Sequence, residues 1–179
     1  NKGVLFEYDP ATGGNGTYTV KHHFDLAYGG NPQGSLIASG GKFYGMTRLG
    51  GNGEKGVLFE YDPATGGSGT YTVKHYFAYP DGANPTGNLI LSGGKFYGMT
   101  PAGGNNYYGN IFEYDPAGSG TFTVMHYFGY GNGCYPNGSL IAWDGKLYGM
   151  TLSGGSSNLG VIFEYDPAGG GVYTILRHL

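Results

Sequence analysis

The phrase GVLFEYDPATGG at residues 3–14 returns unchanged at 56–67, as GNIFEYDPAGSG at 109–120 and as GVIFEYDPAGGG at 160–171. The aspartates within it, Asp9, Asp62, Asp115 and Asp166, are spaced by 53, 53 and 51 residues. A fixed period of this size marks an array of one structural unit, each copy unable to bury its own faces and dependent on its neighbours. A residue that occurs once per period is therefore weighed first as scaffold.

Within a period, GVLFEYD alternates Val4, Phe6 and Tyr8 against Leu5 and Glu7, the pattern of a strand, here called c. The tract DPATGGNG then supplies Pro and Gly for a turn. TYTVKHHF is strand d, with Tyr18, Val20, His22 and Phe24 expected on one face and Thr17, Thr19, Lys21 and His23 on the other. After a longer connection, SLIAS at 35–39 and KFYGMT at 42–47 flank Gly40 and Gly41, which reads as a hairpin of strands a and b. Four strands per period of about fifty residues is the arithmetic of a β-propeller blade. The expected fold is all-β and propeller-like, with four-stranded antiparallel blades in a single repeat domain over 1–179. Residues 35–77, 88–128 and 139–179 are whole blades, and residues 1–24 form a half-blade of c and d alone, giving about three and a half blades. The missing a–b pair points to a homo-oligomer or to a larger parent propeller. The opening on Asn1, inside a repeat, reads as a mature or excised piece.

Composition agrees. Glycine supplies 39 of 179 residues, tyrosine 18 and phenylalanine 10, while charged residues are 12%. Aromatics suit half-buried pleated surfaces and glycine suits tight turns, whereas neither favours helices. A net charge of −3 without any Lys/Arg cluster leaves no footprint for nucleic acid, and no apolar run is long enough for a membrane-spanning helix. Cys134 is the single cysteine and reads as a packing residue.

The phrases around KFYGMTRLGG, GVLFEYDP and DGANPTGNLILSGGKFYGMT resemble the Gloeo-Verruco (GloVer) tandem repeat, with its G-x-N-P-x-G-x-L, L-Y-G-x-T, Gly-Gly and G-x-x-F signatures. Asn31, Pro32, Gly34, Leu36, Tyr44, Gly45, Thr47, Gly50, Gly51, Gly56 and Phe59 carry the resemblance in the first full unit. Asn84, Pro85, Gly87, Leu89, Tyr97, Gly98, Thr100, Gly103, Gly104, Gly109 and Phe112 carry it in the next. The third unit departs, with Tyr135 before Pro136 and Trp143-Asp144-Gly145 in its a–b turn. The resemblance implies a secreted or cell-surface bacterial protein and no particular activity. A more remote resemblance to Kelch-type blades speaks to fold alone.

The carboxylates Glu7, Glu60, Glu113 and Glu164, each two residues from an aspartate, could be imagined as acid/base pairs. Every copy carries them, so their expected role is to satisfy neighbours on a strand and to start a turn. His22, His75 and His126 recur in strand d, with Arg177 in the last copy, and are expected as hydrogen-bonded residues packed between units. Without a nucleophile turn or a second ligand at metal spacing, no catalysis, metal or cofactor is expected. Asn15-Gly16-Thr17 and Asn137-Gly138-Ser139 satisfy the glycosylation sequon, which a bacterial source would make incidental.

Strand order adds one inference. The a–b and c–d turns fall on one side of the array and are nearly uniform, whereas the d–a and b–c connections fall on the other and differ in every copy. Tyr28, Asn31, Tyr79, Asp81, Asn84, Tyr130, Asn132 and Tyr135 occupy d–a connections, and Asn105, Asn106, Tyr107 and Tyr108 a b–c connection. Tyrosine and asparagine on variable loops over a rigid scaffold are the ingredients of a recognition surface. These twelve residues are the candidate ligand-binding set. The expected function is non-catalytic extracellular recognition or adhesion toward a glycan or cell-surface partner; the alternative is a structural repeat that acts as a spacer or assembles through unpaired edges.

Overall fold

In a computed structural model, residues 2–10, 14, 16–64 and 68–179 are described. The c–d turn tracts at 11–13 and 65–67, and the sequon asparagine Asn15, lie outside the described residues. Among the described residues all regular structure is β, in four antiparallel sheets. The first holds β1 (Val4–Asp9) and β2 (Thr17–His23). The second holds β3 (Gly30–Pro32), β4 (Ile37–Ser39), β5 (Lys42–Leu49), β6 (Val57–Asp62) and β7 (Thr70–Tyr76). The third holds β8 (Ile90–Ser92), β9 (Lys95–Thr100), β10 (Asn110–Asp115) and β11 (Thr121–Tyr127). The fourth holds β12 (Cys134–Pro136), β13 (Ile141–Trp143), β14 (Lys146–Ser153), β15 (Val161–Asp166) and β16 (Val172–His178).

Strands a to d are thus present in their expected order, with two additions. The Asn-Pro segment, read as part of a connection, is a short strand in two units: β3 and β12 pair with the distal ends of β5 and β14, which run two residues past the expected KFYGMT stretch. In the third sheet only the isolated bridge Ala83–Ala102 remains, because Pro101 stands where β5 has Arg48 and proline cannot donate to a ladder.

The second addition corrects the face assignment of strand d. Each c–d pairing slips at one point: Phe6 pairs Val20 while Leu5 pairs His22, and the same slip occurs at Leu58/Phe59, Ile111/Phe112 and Ile162/Phe163. The extra residue on the d strand (Lys21, Lys74, Met125 or Leu176) makes a β-bulge, and cross-strand partners share a side. Val20 therefore sides with Phe6 and His22 with Leu5, so the four residues Tyr18, Val20, His22 and Phe24 do not share one face.

That division lets one sheet pack on the next. His22 stacks on Tyr71, His75 on Phe122 and His126 on Tyr173, with ring centroids 3.9, 3.6 and 4.0 Å apart. Phe24, Phe77 and Phe128 lean against Phe59, Phe112 and Phe163 of the following sheet at 5.4–5.5 Å. The buried clusters straddle the same joints: Tyr97, Met99, Ile111 and Phe128 of the third sheet meet Leu140, Leu147, Phe163 and Tyr165 of the fourth. Each such aromatic contact adds about 0.5–1.5 kcal/mol beyond area burial.

The Asn-Pro-x-Gly segments stack on one another as a second seam. Ser35 N–H donates to Asn88 Oδ1 at 2.6 Å and Asn88 N–H to Ser139 Oγ at 2.8 Å. A Cβ on Gly87 would collide with the Gly138 carbonyl, so glycine is required there by backbone approach.

Candidate ligand-binding face

The d–a and b–c connections meet on one side of the array, fastened by the glycine pair that follows each YGMT phrase. Gly51, Gly104 and Gly155 donate their N–H groups to the carbonyls of Leu26, Tyr79 and Tyr130 in the d–a connections, at 2.6–2.9 Å. Thr47, Thr100 and Thr151 brace the b–c connection from within, their hydroxyls donating to the carbonyls two residues on. On the opposite side, Gly40 and Gly94 of two a–b turns and Pro116 and Gly118 of the c–d turn in the third sheet line one shallow depression.

Several candidate residues turn out to hold this surface in shape. Asn31, Asn84 and Tyr135 take left-handed backbone conformations, with φ of 57°, 57° and 55°. Each donates its N–H across to the preceding unit, to the carbonyls of Lys2, Lys55 and Tyr108 respectively. Asparagine tolerates this conformation better than most residues, whereas for tyrosine it is strained. The Asn84 amide also donates to the Arg48 carbonyl at 3.0 Å. Asp81 accepts from Ala78 N–H and lies 3.0 Å from His75 Nε2, close enough to pair yet poorly aligned for a linear hydrogen bond. Asn132 accepts from Gly129 N–H at 2.6 Å and places its amide nitrogen 3.1 Å from His126 Nε2.

The tyrosines are the outward-facing part. Tyr79 meets Tyr107 edge to face at 5.9 Å, and the Lys55 ammonium lies 4.5 Å above the Tyr79 ring. Tyr108 meets Tyr130 at 4.9 Å and Tyr135 at 5.4 Å. A hydrogen bond with Tyr130 and partial desolvation raise the Tyr108 phenol above its ordinary pKa. Tyr107 and Tyr130 are 66% and 63% exposed and present their rings to solvent, whereas Tyr108 is half-buried and packs against the core of the third and fourth sheets. Asn105 and Asn106 are exposed beside Tyr107 at the tip of the same connection, while Tyr28 stands exposed in the first d–a connection, away from both pairs, its carbonyl accepting from the Tyr71 hydroxyl at 2.9 Å.

Sequence reasoning did not single out a cleft of about 360 Å³ between these elements, lined by Arg48, Asn84, Thr86, Tyr135, Asn137 and Leu152 among others. Arg48, Pro101 and Leu152 are equivalent in the repeat and all three line it, so it is a place where the copies meet and differ. The signal available was that inequality at a position otherwise embedded in a uniform phrase.

The repeated carboxylates are scaffold. Glu60, Glu113 and Glu164 each accept from a lysine ammonium (Lys42, Lys95, Lys146) at 2.6–2.8 Å and a tyrosine hydroxyl (Tyr44, Tyr97, Tyr148) at 2.7–2.8 Å. Burial pushes the Glu60 carboxyl up, but its bonds from Lys42 and Tyr44, with the Lys74 charge, outweigh that and hold it below the usual range. Lys146 and Tyr148 likewise lower Glu164. Cys134 is a buried free thiol in β12, its pKa raised by desolvation.

No curated protein matches the chain. The family model described as the Gloeobacter/Verrucomicrobia repeat matches residues 1–179, the whole of it. The chain therefore belongs to the Gloeobacter/Verrucomicrobia repeat family.

Proposed function

We propose that the protein is a non-catalytic recognition module acting outside the cell or at its surface, with the four sheets arranged as blades of a propeller-like array. A glycan is the ligand on this reading. The observation that carries it is the exposure of Tyr79, Tyr107, Tyr130 and Tyr135 on the connection side, Tyr135 also lining the cleft that holds Arg48 and Asn137. Pyranose rings offer apolar C–H faces that stack on tyrosine and hydroxyls that pair with amide and guanidinium groups, so one surface satisfies both. The scaffold supplies rigidity, which limits the entropy lost on binding. Glycan-array screening of the folded chain tests the reading: binding that falls tenfold or more in Tyr130→Ala and Arg48→Ala supports it, and an array without a binder overturns it.

One observation favours a second reading, a structural repeat whose end sheets are covered by further copies of the unit, whether in the same chain or in another. Met46 and Met99 are 4% exposed inside joints between sheets, whereas the equivalent Met150 is 59% exposed on the uncovered face of the last sheet. Phe6, Tyr8 and Tyr18 are likewise exposed on the first, while their equivalents Phe59, Tyr61 and Tyr71 face a preceding sheet. Concentration-dependent association in sedimentation velocity supports cover by another chain, and a strictly monomeric chain overturns it.

A further inference from the structure

We infer that the cleft lined by Arg48, Tyr135 and Asn137 is a site for a carboxylate-bearing sugar, with the Arg48 guanidinium as the partner of the carboxylate. The inference rests on the glycan reading and narrows it to acidic saccharides bound at one position on the chain. Arg48 stands in β5, Pro101 just after β9 and Leu152 in β14, while the segments leading into β8 and β13 supply Thr86 and Asn137. None of the described lining residues belongs to the first sheet, so the site is built by the three whole units.

Charge singles out Arg48. Lys21, Lys42, Lys74, Lys95 and Lys146 are each paired with a glutamate of the scaffold, at 2.6–3.7 Å. The Arg48 side chain is exposed and has neither a hydrogen bond nor an ion pair among the described residues, and no carboxylate stands among the described residues that line its cleft. A neutral ligand covering this guanidinium would strip water from a charge and return no opposite charge. A carboxylate returns two parallel N–H···O bonds in the planar fork that arginine offers. The equivalent positions hold Pro101 and Leu152, so three units of one phrase provide a single cation and a single site.

The other lining groups suit the rest of a sugar. The Thr86 hydroxyl donates to Asn137 Oδ1 at 3.2 Å, which commits the amide oxygen and leaves the amide nitrogen as a donor without a partner among the described residues. Sugar hydroxyls accept from such a donor. Tyr135, Pro101 and Leu152 add apolar surface for the C–H faces of the ring. The cleft is also held in shape before any ligand arrives: the Asn84 amide fixes the Arg48 carbonyl at 3.0 Å, and the Thr86–Asn137 bond joins the third unit to the fourth. Such preorganisation lowers the entropy lost on binding. A volume of about 360 Å³ lies at the lower end of the range of small-molecule sites, which suits a short saccharide.

The test is isothermal titration calorimetry of the 1–179 chain, shown folded by circular dichroism, with short oligomers of galacturonate, alginate and hyaluronan and with sialyllactose, each beside its methyl ester. Neutral dextran and dextran sulfate oligomers complete the panel. Saturable binding of at least one carboxylated probe is expected, at about one site per chain. Methyl esterification and Arg48→Gln should each weaken it at least tenfold, and Arg48→Lys, which keeps the charge and loses the fork, about threefold. Equal affinity for an acid and its methyl ester overturns the inference, as does carboxylate binding that Arg48→Gln leaves unchanged. Binding confined to neutral glycans, or to dextran sulfate without any carboxylated binder, also overturns it while the glycan reading stands. A panel and a glycan array without any binder overturn both.

Discussion

His75 lies flat on Phe122 of the next sheet, the two rings 3.6 Å apart and 1° from parallel. The same joint is made by His22 on Tyr71 and by His126 on Tyr173, so one contact is built three times from one phrase. The bulge after Val20, Val73 and Val124 is what permits it. Without the extra residue each histidine would face the preceding sheet and leave the next aromatic ring uncovered.

The joint makes stability depend on pH through His126. Burial lowers its pKa from 6.5 to about 4. An imidazole with a depressed folded pKa takes up its proton more readily in the unfolded chain, so its contribution is complete above about pH 6.5 and is lost as pH falls toward 4. His22 is shifted the same way, first by burial. Urea unfolding at pH 7 and pH 5 should show wild type weakening over this interval, and His126→Phe, which keeps a flat ring on Tyr173, should weaken less. An identical pH slope in the variant contradicts the account.

The glutamate that recurs in every unit should matter unequally. Glu113 is buried, and Glu113→Ala strips an acceptor from both Lys95 and the buried Tyr97 hydroxyl. Leaving such a donor unsatisfied costs about 1–3 kcal/mol. For a chain of this size that is a fall of about 2–4 °C in Tm per kcal/mol. Glu7→Ala removes only an exposed contact to Lys21 and should change stability by no more than about 0.5 kcal/mol. Thermal unfolding of the two variants side by side checks the contrast.

How much of this was legible beforehand follows from what repeats. Strands a to d, their order and the separation of uniform from variable connections could be read from the spacing of Asp9, Asp62, Asp115 and Asp166, because burial imposes one pattern on every copy. The bulge could not. Lys21 sits in an unbroken alternation, and nothing local distinguishes an inserted residue from a paired one. The strands at Gly30–Pro32 and Cys134–Pro136 were hidden for a different reason: their partners are the ends of b strands, and proline and glycine disguise them as turns. On the loop face, Tyr28, Tyr79, Tyr107 and Tyr130 lie on connections as read from sequence, whereas Tyr135 lies in β12, and sequence could not show that Asn31, Asn84 and Tyr135 spend their backbone N–H groups on the preceding unit.

That division of labour predicts separable phenotypes on the loop face. Tyr130→Ala removes an exposed ring from the Tyr108 contact and should lower glycan binding while changing Tm by no more than about 2 °C. Asn84→Ala loses the amide bond to the Arg48 carbonyl and places alanine at positive φ. It should lower stability by about 1–2 kcal/mol, since both the left-handed conformation and the lost bond count against it. Parallel thermal unfolding and glycan-binding titrations distinguish the two.

Tyr114 offers the opposite case, a substitution expected to cost nothing. Its ring is fully buried, and its hydroxyl has no hydrogen-bond partner among the described residues. Desolvation, with Glu60 and Asp115 nearby, pushes its pKa up to about 12. The equivalent Tyr61 donates to the Ser68 carbonyl at 2.8 Å, and Tyr165 reaches the Met125 carbonyl at 3.4 Å. Removing an unsatisfied buried hydroxyl relieves a desolvation penalty, whereas removing a satisfied one forfeits a bond of about 0.5–1.5 kcal/mol. Tyr114→Phe should therefore be neutral or stabilising by up to about 1 kcal/mol, and Tyr61→Phe destabilising by about the value of its bond. Urea midpoints for the two variants measure the difference, and a loss in Tyr114→Phe as large as that in Tyr61→Phe would show that the Tyr114 hydroxyl has an acceptor after all.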